Sequence, residues 1–186
     1  MKTDMASFCK IRMVRICLLF LSASGLLSQE QSPTWLNTGL GGSSYGMALT
    51  AGHAFQAGHG LISSRYIFCG ELPTLGVDYP AESAHELGIL YGRYARVSAV
   101  FVSISAGIGV ARMVKRGKFL YDNGNLLFPD RTYEELHYLT IGIPLEAQLF
   151  LSFSPSFGMG IYAFGNINPK NSFGGMLVSM ELGKLK

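Results

Sequence analysis

The chain has 186 residues, of which 48% are hydrophobic and only 15% charged, where an ordinary soluble domain carries about 25% charged residues. Its formal charge of +3 is an N-terminal matter. Residues 1–28 hold Lys2, Lys10, Arg12 and Arg15 against Asp4, and the 11 basic and 11 acidic residues that follow cancel. That balance excludes the basic field a nucleic-acid binder needs, and the sparse charge excludes a conventional water-facing coat.

Residues 2–15 are basic. Ile16 to Leu27 (ICLLFLSASGLL) is a short apolar run, and small Ser28 precedes polar Gln29-Glu30-Gln31. This order predicts a signal peptide over 1–28 and one mature domain over 29–186. The apolar run is about 12 residues, short of the roughly 20 that a spanning helix needs. Cys9 and Cys17 fall inside the signal, so the mature chain keeps Cys69 alone and no internal disulfide is expected.

The mature chain alternates with a period of two. Trp35–Gly41 opens the series. Residues 45–56 put Tyr45, Met47, Leu49, Ala51 and Phe55 on one face and Gly46, Ala48, Thr50, Gly52 and Ala54 on the other. Leu61–Cys69 sets Ile62, Tyr66 and Phe68 against Ser63, Arg65 and Ile67. Glu86–Arg96 sets Leu87, Ile89 and Tyr91 against Gly88, Gly92 and Tyr94. In 98–111, Val100, Val102, Ile104, Ile108 and Val110 oppose Ser103, Ser105, Gly107 and Gly109. Three further segments follow at 138–149, 157–164 and 174–182. Pro144 interrupts the sixth, where a residue without an N–H predicts a bulge, a kink or a split strand.

Eight strands with short turns near 57–60, 96–98 and 152–156, and long connections near 70–84 and 113–133, predict an antiparallel up-and-down transmembrane β-barrel. The second face decides between lipid and water outside. It is mostly Gly, Ala, Ser and Thr, which suits a narrow lumen and not a solvated surface. Tyr45, Phe55, Tyr66, Phe68 and Phe157 are candidates for interfacial girdles. The rival is a periplasmic lipocalin-like barrel, with the Leu/Ile/Val face turned inward around an apolar ligand.

The chain resembles the small outer-membrane β-barrel proteins of the Bacteroidetes type. The resemblance rests on Gly39-Leu40-Gly41-Gly42, Glu86-Leu87-Gly88-Ile89-Leu90-Tyr91-Gly92-Arg93, Gly142-Ile143-Pro144-Leu145-Glu146-Ala147, and Phe173-Gly174-Gly175 with Glu181-Leu182-Gly183-Lys184. It implies an outer-membrane location and a barrel, and no reaction. The chain departs from many such barrels in ending Gly183-Lys184-Leu185-Lys186 without an aromatic.

Parity places Arg65, Arg96, Glu146 and Glu181 in the lumen, with Glu86 nearer the outer end. Two cations and two anions in a narrow lumen are expected to pair, forming a structural polar cluster that closes the pore. An acyl-transfer enzyme acting on membrane lipid would need a base beside a nucleophile. His137 with Glu135 and His85 with Glu86 are the candidates, and no Ser stands at a recognisable spacing from either. There is no CxxC, HExxH or phosphate-binding glycine loop. The expectation is a monomer without cofactor, metal or catalytic residues. Its partners are outer-membrane lipid and the export and barrel-assembly machinery, and its loops at 70–84 and 113–133 are free for surface recognition.

Overall fold

The computed structural model describes residues 32–71, 78–122 and 131–185; the predicted signal peptide lies outside them. Eight strands follow in chain order: β1 Thr34–Ser43, β2 Gly46–Ala57, β3 Gly60–Gly70, β4 Ser83–Val97, β5 Val100–Asp122, β6 Arg131–Ser152, β7 Phe157–Ile167 and β8 Phe173–Lys184. Each pairs antiparallel with its sequence neighbours, and β8 closes on β1. Closure leaves no sheet edge around the ring, the condition that lipid imposes on a β structure.

The register sets the geometry. Cross-strand partners lead from Thr34 through Phe55, Ile62, Tyr91, Ala106, Leu145 and Gly165 to Gly174, whose carbonyl accepts from Ser44. One circuit therefore climbs about ten residues. On eight strands that shear sets a tilt of roughly 43° and an axial rise of about 2.4 Å per residue.

The two faces separate as the alternation demands. Leu87, Ile89, Ile104, Ile108, Leu139, Ile141 and Val178 are exposed, with Ile104 at 69% and Ile108 at 66% of full exposure. Their sequence neighbours Ser103, Ser105, Glu86 and Glu146 are buried at 3% or less. This arrangement is the reverse of a lipocalin-like barrel, so the apolar-inward alternative is overturned. Phe55, Tyr66, Phe68 and Phe157 stand half-buried at outward positions. Tyr45 does not join them. It occupies the β1–β2 turn and points into the lumen, 5% exposed, because the alternation of β2 starts only at Gly46.

Two further expectations change. Pro144 causes no bulge: Ala106↔Leu145 and Gly109↔Gly142 lie in one register, and only the two intervening pairs are missing. The ring of Pro144 turns inward instead, 3.2 Å from where a Cβ on Gly88 would lie, so a glycine on the facing wall makes its room. The connection near 113–133 is also largely strand. β5 and β6 stay paired from Val114↔His137 to Asp122↔Arg131, with two register shifts on the β5 side around Phe119. Charge and bulges hide such a ladder from a search for apolar alternation.

Candidate functional site: the closed lumen and its outer mouth

The lumen is filled in three layers. At the end where β1 begins and β8 ends, here the terminal end, Trp35, Ala54, Leu61, Phe101, Phe150 and Leu185 form an apolar plug. Phe101 stacks between Phe150 (centroids 4.5 Å apart) and Tyr94 (5.6 Å), and Trp35 meets it edge-on at 5.2 Å. At the loop end a second apolar cluster gathers Tyr45, Ile67, Met113, Tyr162, Phe164, Phe173 and Leu177.

Between them lies the polar layer. Arg65 projects from β3 with its side chain 2% exposed and donates through Nε to Glu86 Oε1 at 2.8 Å. Its Nη1 donates to the Leu145 carbonyl at 2.8 Å, and its Nη2 to the Gly165 carbonyl at 2.9 Å. Those two residues are partners in the β6–β7 ladder, so Arg65 ties β3 to the wall across the barrel. Glu146 Oε2 lies 3.8 Å from Arg65 Nη1 and accepts from Tyr162 Oη at 2.7 Å, while its Oε1 accepts from Ser63 Oγ at 2.8 Å. Glu86 Oε2 accepts from Asn166 Nδ2 at 2.6 Å. Every carboxylate oxygen of Glu86 and Glu146 is thus occupied.

The structure therefore brings Arg65, Glu86 and Glu146 together and leaves the other two predicted residues apart. Arg96 sits beside the β4–β5 turn with its guanidinium 5.4 Å over the Phe101 ring, and its Nη2 has no hydrogen-bond partner among the described residues. Glu181 stands on β8, on the opposite side of the ring from β4. Its Oε1 accepts from Ser179 at 2.7 Å and Asn37 at 3.3 Å, and its Oε2 has no partner among the described residues. The predicted pairing of all four charges fails because parity orders the faces and carries no height. The shear of about ten sets Arg96 at the terminal rim.

Ser63, Tyr162 and Asn166 complete this cluster, and a search for charged residues alone does not name them. The alternation of 157–164 already sets Tyr162 with Gly158 and Gly160 against Phe157, Met159 and Ile161, and extending it through β7 reaches Asn166. A Cβ on Gly142 would come within 2.3 Å of Asn166 Oδ1, so Gly142 is what admits that side chain. From Asn166 the bonding continues outward. Asn168 Nδ2 donates to Asn166 Oδ1 at 2.9 Å, Asn168 Oδ1 accepts from the Lys170 and Asn171 amides, and Asn171 Nδ2 reaches Tyr45 Oη at 2.7 Å. Over the mouth, Lys115 lies 5.0 Å above the Tyr45 ring and Lys170 lies 5.8 Å from that of Tyr138. Replacing Tyr162 by Phe should leave Glu146 Oε2 with Arg65 alone. The expected cost is about 1–3 kcal/mol, read as a lower urea midpoint for loss of the heat-modifiable folded band, and an unchanged midpoint would count against this network.

Outside the mouth, the loop from β3 to β4 is tied to the β5–β6 hairpin. Arg116 Nη2 bonds to the Glu71 carboxylate and to the Asp78 carbonyl, and the Arg116 amide donates to Glu82 Oε1 at 3.0 Å. The Tyr79 amide donates to the Arg131 carbonyl and the Tyr133 amide to the Tyr79 carbonyl, both at 2.8 Å. Since β5 occupies one edge of β6 at Thr132, Tyr79 takes the other.

Among the described residues, neither candidate dyad has a serine bonded to its histidine. His137 Nε2 is 3.4 Å from Glu135 Oε1 on the exposed hairpin, and among the described residues no serine bonds to it. His85 and Glu86 are adjacent in sequence and so face opposite sides of the wall: Glu86 turns into the lumen and His85 outward to Tyr66.

Fold and lumen together define an eight-stranded β-barrel of the outer-membrane kind, whose exposed apolar belt is the surface such a barrel turns to lipid. Solved structures of that kind superpose on it. Neisserial surface protein A matches with a TM-score of 0.54 at 12% identity, over 81% of this chain and 95% of its own. Ail, the attachment invasion locus protein of Yersinia pestis, matches at 0.53 and 10%, over 82% and 98%. The N-terminal β-barrel domain of Pseudomonas aeruginosa OprF matches at 0.53 and 8%, over 83% and 98%. At such identities the likeness is one of fold. No family model matches the chain, and no curated protein matches its sequence.

Proposed function

We propose that this chain is an outer-membrane barrel with a closed lumen that recognises a macromolecular partner through the braced β5–β6 hairpin. One observation carries the reading: the hairpin continues as paired strand past the apolar band to Asp122 and Arg131 and exposes Phe119, Leu120 and Tyr121. Exposed large apolar side chains above a charged collar are costly to keep in water and mark a surface that another molecule covers. The Arg116 and Tyr79 bonds hold that surface in place, which lowers the ordering cost of binding. The filled lumen makes a diffusion pore a poor alternative.

The partner is read as protein and not as a polyanion. One Ail structure holds the heparin analogue sucrose octasulfate. Here Lys115, Arg116, Lys118 and Arg131 are balanced by Glu71, Glu82, Asp122, Glu134 and Glu135 on the same platform, so a sulfated chain meets no excess positive charge. Bacteria displaying the chain should adhere to immobilised laminin or fibronectin above a vector control and ignore heparin. A variant with residues 117–133 replaced by an Asn-Gly turn should keep its heat-modifiable band and lose adhesion. Adhesion that survives the trimming would remove the hairpin from the account.

A further inference from the structure

The outward face of the barrel carries very little charge, so the few cations on it mark its borders. On β4 the outward positions run His85, Leu87, Ile89, Tyr91 and Arg93. On β5 they run Val102, Ile104, Ala106, Ile108, Val110 and Arg112. By the shear and rise given above, Arg93 lies near the terminal edge of the band, and His85 and Arg112 lie at the loop edge, about 19–22 Å away. That spacing is close to the ~25 Å apolar belt of such barrels.

His85 and Arg112 are also cross-strand partners, so their side chains leave the wall next to each other. The imidazole is held in place: Tyr66 Oη lies 2.7 Å from His85 Nδ1, and the Phe68 ring is 5.0 Å from the His85 ring. When the Tyr66 hydroxyl donates to Nδ1, the proton of a neutral imidazole sits on Nε2, turned to the outside. Arg112 is exposed and makes no ion pair or hydrogen bond among the described residues. Leu87, Val110 and Leu139 surround it, and the nearest buried carboxylate, Glu86, faces the other side of the wall.

A guanidinium without a counter-ion among the described residues, beside a held N–H donor and fenced by lipid-facing side chains at the border of the belt, calls for an anion supplied from the membrane. We propose that Arg112 and His85 form a docking site for the phosphorylated headgroup of an outer-leaflet glycolipid of the lipid A type, whose acyl chains lie along Leu87, Val110 and Leu139. A guanidinium matches a phosphate with two parallel charge-assisted hydrogen bonds, which a water-facing rim cation would not hold against solvent. The β1–β3 side of the band offers no equivalent cation, so the site is local and not a property of the whole rim.

The protein extracted from membranes in mild detergent should retain bis-phosphorylated lipid A in native mass spectrometry. Removing the phosphates from the lipid, or changing Arg112→Gln, should weaken binding by about tenfold or more, with a smaller loss for His85→Gln. Arg93→Gln, which alters the opposite border, should bind as the wild type, and all variants should keep the heat-modifiable band. The proposal is overturned if Arg112→Gln binds normally, or if dephosphorylated lipid A binds as well. It also fails if Arg93→Gln weakens binding as much, or if inorganic phosphate saturates the site while lipid A does not compete.

Discussion

Replacing Arg65 by Met should destabilise the barrel more than any other single change in its lumen. Among the described residues the guanidinium is the only cation within reach of Glu86 and Glu146, and both carboxylates are essentially shielded from solvent. Removing one partner from a buried ion cluster leaves charge that nothing compensates, at a cost of about 3–5 kcal/mol. The Leu145 and Gly165 carbonyls lose a donor in the same step. The readout is the urea midpoint at which the heat-modifiable band disappears. A triple variant, Arg65→Met with Glu86→Gln and Glu146→Gln, removes the uncompensated charge and should recover a large part of the loss. An Arg65→Met protein as stable as the wild type would mean that the carboxylates are solvated, and the picture of a closed lumen would fall.

The second large effect concerns the outside. Ile89 is 63% exposed near the middle of the apolar band, with Leu87 and Tyr91 on either side along β4. In water, Ile89→Arg would be close to neutral. In lipid it should cost about 2–4 kcal/mol, whereas an arginine at a border position should cost roughly 0–1 kcal/mol. Leu139→Arg, next to Arg112 at the loop border, supplies that comparison. Refolding both variants into phospholipid vesicles from urea and comparing their midpoints measures the difference directly. Equal midpoints for Ile89→Arg and the wild type would contradict a lipid-facing band; a large loss at Ile89 with little at Leu139 would locate its border.

The two effects probe different terms of one design. In lipid the usual inside-out partition is inverted. The belt is held by contact with acyl chains, and the lumen is small enough that its polar residues must satisfy one another. This explains why Arg65, Tyr162, Glu146, Ser63, Glu86 and Asn166 form a single cluster. It also explains why the two apolar clusters flank that layer at both ends, where they separate it from water.

Much of this was legible in the residues. The number of strands, their order and the facing of nearly every side chain follow from period-two alternation. A strand has only two faces, and lipid selects which residues can occupy one of them. Parity alone assigns Arg65 and Glu146 to the lumen. What parity could not supply was axial height and reach. The shear of about ten set Arg96 at the terminal rim across the barrel from Glu181, and it brought Asn166 of β7 level with Glu86 of β4. The inward turn of Tyr45 was not legible either, because a turn residue obeys no strand alternation. Nor was the length of the β5–β6 hairpin, since beyond the lipid band no apolar face is needed and paired backbone leaves no trace in the side chains. The sequence by itself determined a lipid-facing barrel of eight strands. Only the closed ring, which brings residues distant in the chain to one height, decided which polar groups meet.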